Sequence, residues 1–204
     1  MRKLIVAAMT SLDGVMQAPG GPEEDTSGGF AYGGWVWPHF DENEDVMGGA
    51  FKRPFELVLG RRTYDIFAAY WPHVPKGAPH QHIADLFNGT AKHVATHQPE
   101  ALPWQNSRAL GPDVVAAMRE LKRADGPDLL TQGSSNLVHQ LLATDLVDEL
   151  RVLVYPVLLG RGKRLFDDHT QPSAFRLDAS KTSSTGVLIT RYVRDGEVRT
   201  GSFA

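Results

Sequence analysis

The pattern of apolar and polar positions opens with a run at 4–9, Leu-Ile-Val-Ala-Ala-Met, that has no polar face. A short continuous apolar run, bounded by basic residues before it and by Thr-Ser-Leu-Asp-Gly after it, predicts a strand covered on both faces. Similar runs predict strands at Glu56 to Leu59, His93 to Thr96, Leu129 to Gln132, Leu150 to Val157 and Val187 to Val193. Between them the spacing changes to that of helices. Val114, Met118 and Leu121 share one face of a helix that Asp113 can cap and that Gly126-Pro127 stops after about Ala124. A second helix is predicted from Thr63 to Tyr70, and a third after Gly133, with Leu137 and Leu141 on one face and Ser134 or Ser135 as N-cap. Strands alternating with helices predict an α/β fold: a mixed, mainly parallel sheet with helices on both faces. The strand-rich stretch after Leu150 adds antiparallel strands at one edge.

Residues 17–38 interrupt this regularity with Gly and Pro at high density and no clear period, which predicts a long loop. Loops of this length are often lids. Its aromatics, Tyr32, Trp35 and Trp37, either close over a flat ligand or pin the loop to the core. At 204 residues the chain suits one α/β domain, 1–204, better than two small ones. The formal net charge of -3 implies no broad attraction to nucleic acid or to an anionic membrane, so any anion site must be local. Having no cysteine excludes disulfides, thiolate nucleophiles and Cys-ligated zinc, and is compatible with the cytoplasm. The apolar run near the N-terminus is short for a secretory signal, and no stretch approaches the roughly 20 apolar residues of a membrane span.

The candidate chemistry lies in two turns of one design. In "ELVLGRRTYDIF" and "DLLTQGSSNLVHQLL" an apolar strand ends at a single glycine, Gly60 or Gly133, and a helix begins. A helix start presents unpaired N–H groups and partial positive charge, the usual seat of a phosphate. Neither turn carries the G-x-G-x-x-G or P-loop pattern, so each is weak evidence alone. Two of them at the carboxyl ends of strands in one sheet can converge on a pyrophosphate. Arg61 and Arg62 add cationic donors and Thr63 a hydroxyl and an N-cap. Two cations at the positive end of a helix are electrostatically misplaced unless an anion compensates them.

The ordered set "MTSLDG" (9–14), "LVLGRRTY" (57–64), "LLTQGSSNLVHQLL" (129–142) and "DLVDELRVLVYPVLLGRGKRLF" (145–166) resembles the dihydrofolate reductase-like superfamily. Its bacterial branch, similar to the C-terminal reductase domain of the riboflavin-biosynthesis deaminase-reductase, is the part most resembled. The resemblance implies a three-layer sandwich and NADPH lying across the sheet. It places Gly60, Arg61, Arg62 and Thr63 at the pyrophosphate and the adenosine 2'-phosphate, with Thr96 and His97 flanking the adenosine end. Gly133, Ser134, Ser135, Asn136 and Leu137 would close over the pyrophosphate from the other side. Ala8, Thr10 and the turn containing Asp13 would face the nicotinamide. The implied reaction is hydride transfer to a C=N or C=O of a small heterocycle, with the cofactor carrying the difficult chemistry. The deaminase half is not implied, since its P-C-x-x-C zinc signature needs cysteine. Relatives of this kind often dimerise, and the apolar edge from Leu150 to Leu159 is the expected homodimer contact.

Glu44, 16 residues before Gly60, is near the place where folate-reducing relatives carry the acid that assists protonation. The stretch 41–44 equally fits a capping box, and Asp41, Asp45 and Asp13 are the other carboxylates to weigh, Asp13 also as an Asx turn before Gly14. Trp35, Trp37, Tyr64 and Tyr155, with Phe51 and Phe67, would frame the substrate or belong to the core. His80-x-His82, near His73, lacks a third ligand fixed by sequence and sits beside a stretch that predicts an exposed loop, so no metal is expected. "GRGKRLF" (160–166) resembles half a phosphate loop, and no nucleophile elbow supports a hydrolase. The rival to the reductase is a dinucleotide-binding sensor or interaction module without catalysis of its own.

Overall fold

The computed structural model describes residues 1–40, 49–168 and 170–203. Strand β1 (Leu4–Ser11) is buried at all but one position, as its unbroken apolar run requires. It forms part of an eight-stranded sheet with β2 (Phe55–Gly60), β3 (Lys92–Ala95), β4 (Ser107–Ala109), β5 (Asp128–Thr131), β6 (Glu149–Tyr155), β7 (Phe175–Thr182) and β8 (Leu188–Arg194). The order across the sheet is β4-β3-β2-β5-β1-β6-β8-β7. The first six are mutually parallel, while β8 and then β7 add antiparallel.

The two-residue period of β1 and β2 divides the core. Leu4, Val6, Ala8 and Val58 face α3 (Val114–Arg123) and α4 (Ser135–Leu142), packing on Met118, Leu137 and Leu141. Ile5, Ala7, Leu57 and Leu59 face α1 (Arg61–Tyr70) and α2 (Gln81–Gly89), packing on Tyr64 and Phe87. A third cluster, with Val15, Trp35, Leu153, Tyr155 and Ile189, lies under the 17–38 loop. Helices therefore cover both faces, and the sandwich has three layers.

Asp113 caps α3 as expected, its carboxylate accepting from Ala116 N at 2.9 Å. Other expectations are corrected. Helix α2 occupies the stretch read as an exposed loop around His80 and His82, because Ala84 and Phe87 are buried on one face behind a polar exterior. Phe87 stacks on Phe67 at 5.6 Å, and Phe51 meets it edge-on at 5.3 Å, so Phe51 and Phe67 belong to the core. The stretch from Leu150 is no edge: β6 is bonded on both sides, to β1 and β8. The sheet ends at β4 and β7, strands that the hydrophobic pattern does not announce because β4 is three residues long with none buried and β7 is mostly exposed.

Candidate active site

Parallel strands bring their carboxyl ends to one side of the sheet, and there the two glycine turns meet. Gly60 N donates to Gly133 O at 3.2 Å. A Cβ on Gly60 would lie 2.1 Å from Ser134 Oγ and 2.9 Å from its backbone nitrogen. Gly133 has φ +133, and a Cβ there would meet Thr63 Oγ1 at 3.0 Å and Met16 Cε at 3.8 Å. The peptide between Gly133 and Ser134 is cis. Glycine is thus demanded at Gly60 by close approach, and at Gly133 by backbone conformation, with a tight contact to Thr63 beside it. The N-termini of α1 and α4 are side by side as a result. Gly60 itself, not Thr63, is the N-cap of α1, and Ser134 that of α4, each in extended conformation without a side-chain cap.

Around this junction the expected residues fall into three groups. Arg61 Nη1 reaches Thr96 Oγ1 at 3.3 Å and Gln98 O at 3.4 Å, so the end of β3 and the start of α1 form one polar corner, with His97 exposed beside it. Asn136 and Leu137 lie in the first turn of α4, where Leu137 is buried in the core and Asn136 bonds Gln140 at 2.6 Å. Ala8 and Thr10 are buried in β1, and Thr10 Oγ1 is 3.5 Å from Leu153 O. Met16, just before the 17–38 loop, is a further neighbour of the junction; a single methionine outside any strand or helix gives no periodic signal.

The expected substrate frame is mostly core. Tyr64 is 1% exposed, and its hydroxyl accepts from Trp104 N at 2.9 Å. Trp35 is buried, donates to Gln17 O at 2.8 Å and meets Tyr155 edge-on at 5.3 Å. Tyr155 is equally buried, and burial pushes its phenol up to about 12, so it stays neutral. These three fill the interior as members of two of the hydrophobic clusters of the core. Trp37 alone of the four is open, 72% exposed and stacked on Phe40 at 5.7 Å.

Asp13 ties the turn after β1 to a distant loop. Its carboxylate accepts from Ser11 Oγ at 2.7 Å, Leu159 N at 3.1 Å and Gly160 N at 2.8 Å. The Ser11 bond above all, with those two amides and against partial burial, holds the carboxyl down at about 2. Glu44, Asp41 and Asp45 lie outside the described residues.

The 17–38 loop is folded on itself. Gln17 Nε2 donates to Asp25 O and Ser27 O, both at 2.9 Å, and Gln17 Oε1 accepts from Lys163 N at 3.0 Å. The "GRGKRLF" turn is therefore the bed on which this loop lies, with Met16 N bonded to Lys163 O at 2.8 Å. Asp25 is salt-bridged to both Arg62 and Lys163. Burial pushes its carboxyl up, but the bonds from Lys163 and Ser27 outweigh it and hold it at about 2. A carboxylate so lowered from its ordinary 3.8 stabilises the fold fully above that pH, and the contribution is lost as pH falls through the folded value. Unfolding by urea is accordingly expected to become easier from about pH 4 down to about pH 2, with a shallower decline in Asp25→Asn. An equal decline in both proteins would refute Asp25's share.

The compensation expected of an external anion is supplied by the chain. Arg61 Nε bonds both oxygens of Asp65 at 2.9 Å, and Arg62 is met by Asp25. Among the described residues no group of three or more His, Asp or Glu is placed to hold a metal.

The sequence pattern of the RibD C-terminal domain family matches residues 2–189. The chain belongs to that family. Two curated relatives of this RibD C-terminal domain protein come from Bacillus subtilis and are uncharacterized. YyaP is 24% identical over 196 residues, covering 96% of each chain. YwjB is 23% identical over 193 residues, covering 95% of this chain and 98% of its own.

Among solved structures, a putative riboflavin biosynthesis protein from Shewanella sp. PV-4 superposes with TM-score 0.68 at 20% identity, covering 96% of this chain and 99% of its own. A pyrimidine reductase-like protein from Corynebacterium diphtheriae gives 0.58 at 16%, covering 96% and 93%. Dihydrofolate reductase from Enterococcus faecalis, complexed with NADP(H), gives 0.58 at 13%, covering 95% and 96%. These likenesses establish a dihydrofolate reductase-like fold for the RibD C-terminal domain chain.

Proposed function

We propose that this protein is an NADPH-dependent reductase of a small heterocyclic substrate, a pteridine, pyrimidinone or related C=N or C=O compound. The observation that carries the reading is the meeting of Gly60 with Ser134. Two helix N-termini pressed together at the carboxyl edge of a parallel sheet, with both glycines intolerant of a Cβ, make a cradle suited to a pyrophosphate. The printed names of the structural neighbours, reductase-like and reductase, support the same class.

In this reading the turns at Gly60 and Gly133 hold the pyrophosphate through backbone N–H groups. Arg61 and Thr96 take the adenosine 2'-phosphate at their shared corner. When bound, the cofactor would supply the hydride. The chain's own part is to orient both reactants and to keep the turn at 11–14 rigid. Asp13, ionised and saturated with donors, serves there as an anchor. Trp37, 72% exposed, is the one of the four aromatics expected at the substrate that remains available to a flat ring. The proton, where the substrate needs one, is assigned to Glu44 on sequence grounds.

The test is calorimetric affinity for NADPH and NADH, followed by acceptor-dependent loss of NADPH absorbance across a panel of pteridines and pyrimidinones. Binding of NADPH with turnover of any acceptor supports the reductase. Binding without turnover across the panel favours the sensor, and no binding of either nucleotide removes both.

A further inference from the structure

The two arginines that open α1 find carboxylates of very different standing. Asp65, the partner of Arg61, lies one turn along the same helix in an exposed pair, an arrangement worth little. Asp25, the partner of Arg62, lies on the 17–38 loop, is only 8% exposed, and is held at its other oxygen by Lys163. Ser27 also donates to Asp25, through its N–H at 3.1 Å and its hydroxyl at 2.6 Å. The carboxylate is therefore carried by a folded loop and pressed against the cation at a helix start. To a guanidinium it presents the same chemistry as the oxygens of a phosphate. Yet the cations stay reachable from solvent, with 52% of the Arg62 side chain and 37% of Lys163 exposed. A cleft of ≈ 270 Å³ opens where the loop, at Ser27 and Phe30, lies against the turn at 161–163.

On the reading of this helix start as a phosphate seat, we propose that Asp25 is an internal competitor for it. Asp25 acts as a latch that holds the 17–38 loop on Arg62 and Lys163 and must release Arg62 before a dinucleotide phosphate can take it. Loop release and cofactor binding are then one linked equilibrium. The apparent affinity is the intrinsic one reduced by the fraction of molecules whose Arg62 is free. Trp35, anchored in the same loop through Gln17, moves with the latch and reports on it.

The experiment measures NADPH affinity by calorimetry in the wild type, Asp25→Asn, Lys163→Gln and Glu23→Gln, with acrylamide quenching of tryptophan fluorescence as a second readout. Asp25→Asn is expected to bind NADPH about tenfold more tightly, because the competent fraction rises. Lys163→Gln removes a positive charge, which by simple attraction would weaken binding of an anion. The latch instead predicts tighter binding by about threefold, since Asp25 loses one of the two cations that hold it in place. Glu23→Gln removes the same charge as Asp25→Asn from an exposed position of the loop and is expected to stay within about twofold. Quenching without nucleotide is expected to rise in Asp25→Asn and Lys163→Gln. Weaker or unchanged binding in Lys163→Gln, or equal tightening in Glu23→Gln, overturns the latch while leaving the reductase standing. A wild type that binds no NADPH overturns the dinucleotide reading itself.

Discussion

Gly60→Ala is expected to weaken NADPH binding by a hundredfold or more and to lower the melting temperature by several degrees. The added methyl would sit 2.1 Å from Ser134 Oγ and 2.9 Å from Ser134 N, well inside van der Waals contact. The hydroxyl can rotate away, but the backbone nitrogen can move only if the start of α4 moves with it. Forcing a methyl into a packed site costs about 1–3 kcal/mol. Separating the two helix N-termini then removes the convergence of N–H groups on one phosphate, and each tenfold in affinity corresponds to about 1.4 kcal/mol. Circular dichroism melting and calorimetric NADPH titration of the same preparation separate the two effects. Wild-type affinity in a well-folded Gly60→Ala protein would show that the junction is only a packing feature.

Arg61→Ala is expected to reduce NADPH affinity by about ten- to a hundredfold while changing NADH affinity by less than about threefold, since hydrogen bonds to charged groups contribute about 1.5–3 kcal/mol. The discrimination arises because Arg61, Thr96 and the backbone at Gln98 form one corner at the end of β3. Only a 2'-phosphate would use that corner, whereas the pyrophosphate is common to both nucleotides. Arg61 must give up its pair with Asp65 to do so, a small loss for a surface ion pair whose carboxylate is 52% exposed. Arg61→Lys is expected to recover part of the preference, as a point charge without the planar fork of guanidinium. Equal losses for the two nucleotides would move Arg61 from the 2'-phosphate to the pyrophosphate.

Strand-to-helix turns were legible because they are local. An apolar run ending at one glycine, followed by a helical period, needs no knowledge of the rest of the chain, and both turns stand where they were expected. The cap of α3 by Asp113 was legible for the same reason. Helix α2 was obscured by the Pro and Gly residues just before it, and its apolar stripe is too short to outweigh them. Strand β7 was hidden because an exposed edge strand needs no alternation, and almost every residue of "FRLDASKT" faces water.

The class of the fold, the places where strands give way to helices, and the residue types collected at two of those places are readable from the order of residues alone. These properties depend on spacing along the chain. The tertiary structure decided which of them meet. Whether β6 is an edge depends on β8, some forty residues later, finding its free side. Whether Tyr64 and Tyr155 see a ligand or the core depends on rings from other elements closing over them. Whether Arg61 and Arg62 await an anion depends on carboxylates, and one of these, Asp25, is brought from the far side of a loop that has no period to read. Burial and charge pairing are properties of neighbours in space, and the chain's order encodes them only through the fold as a whole.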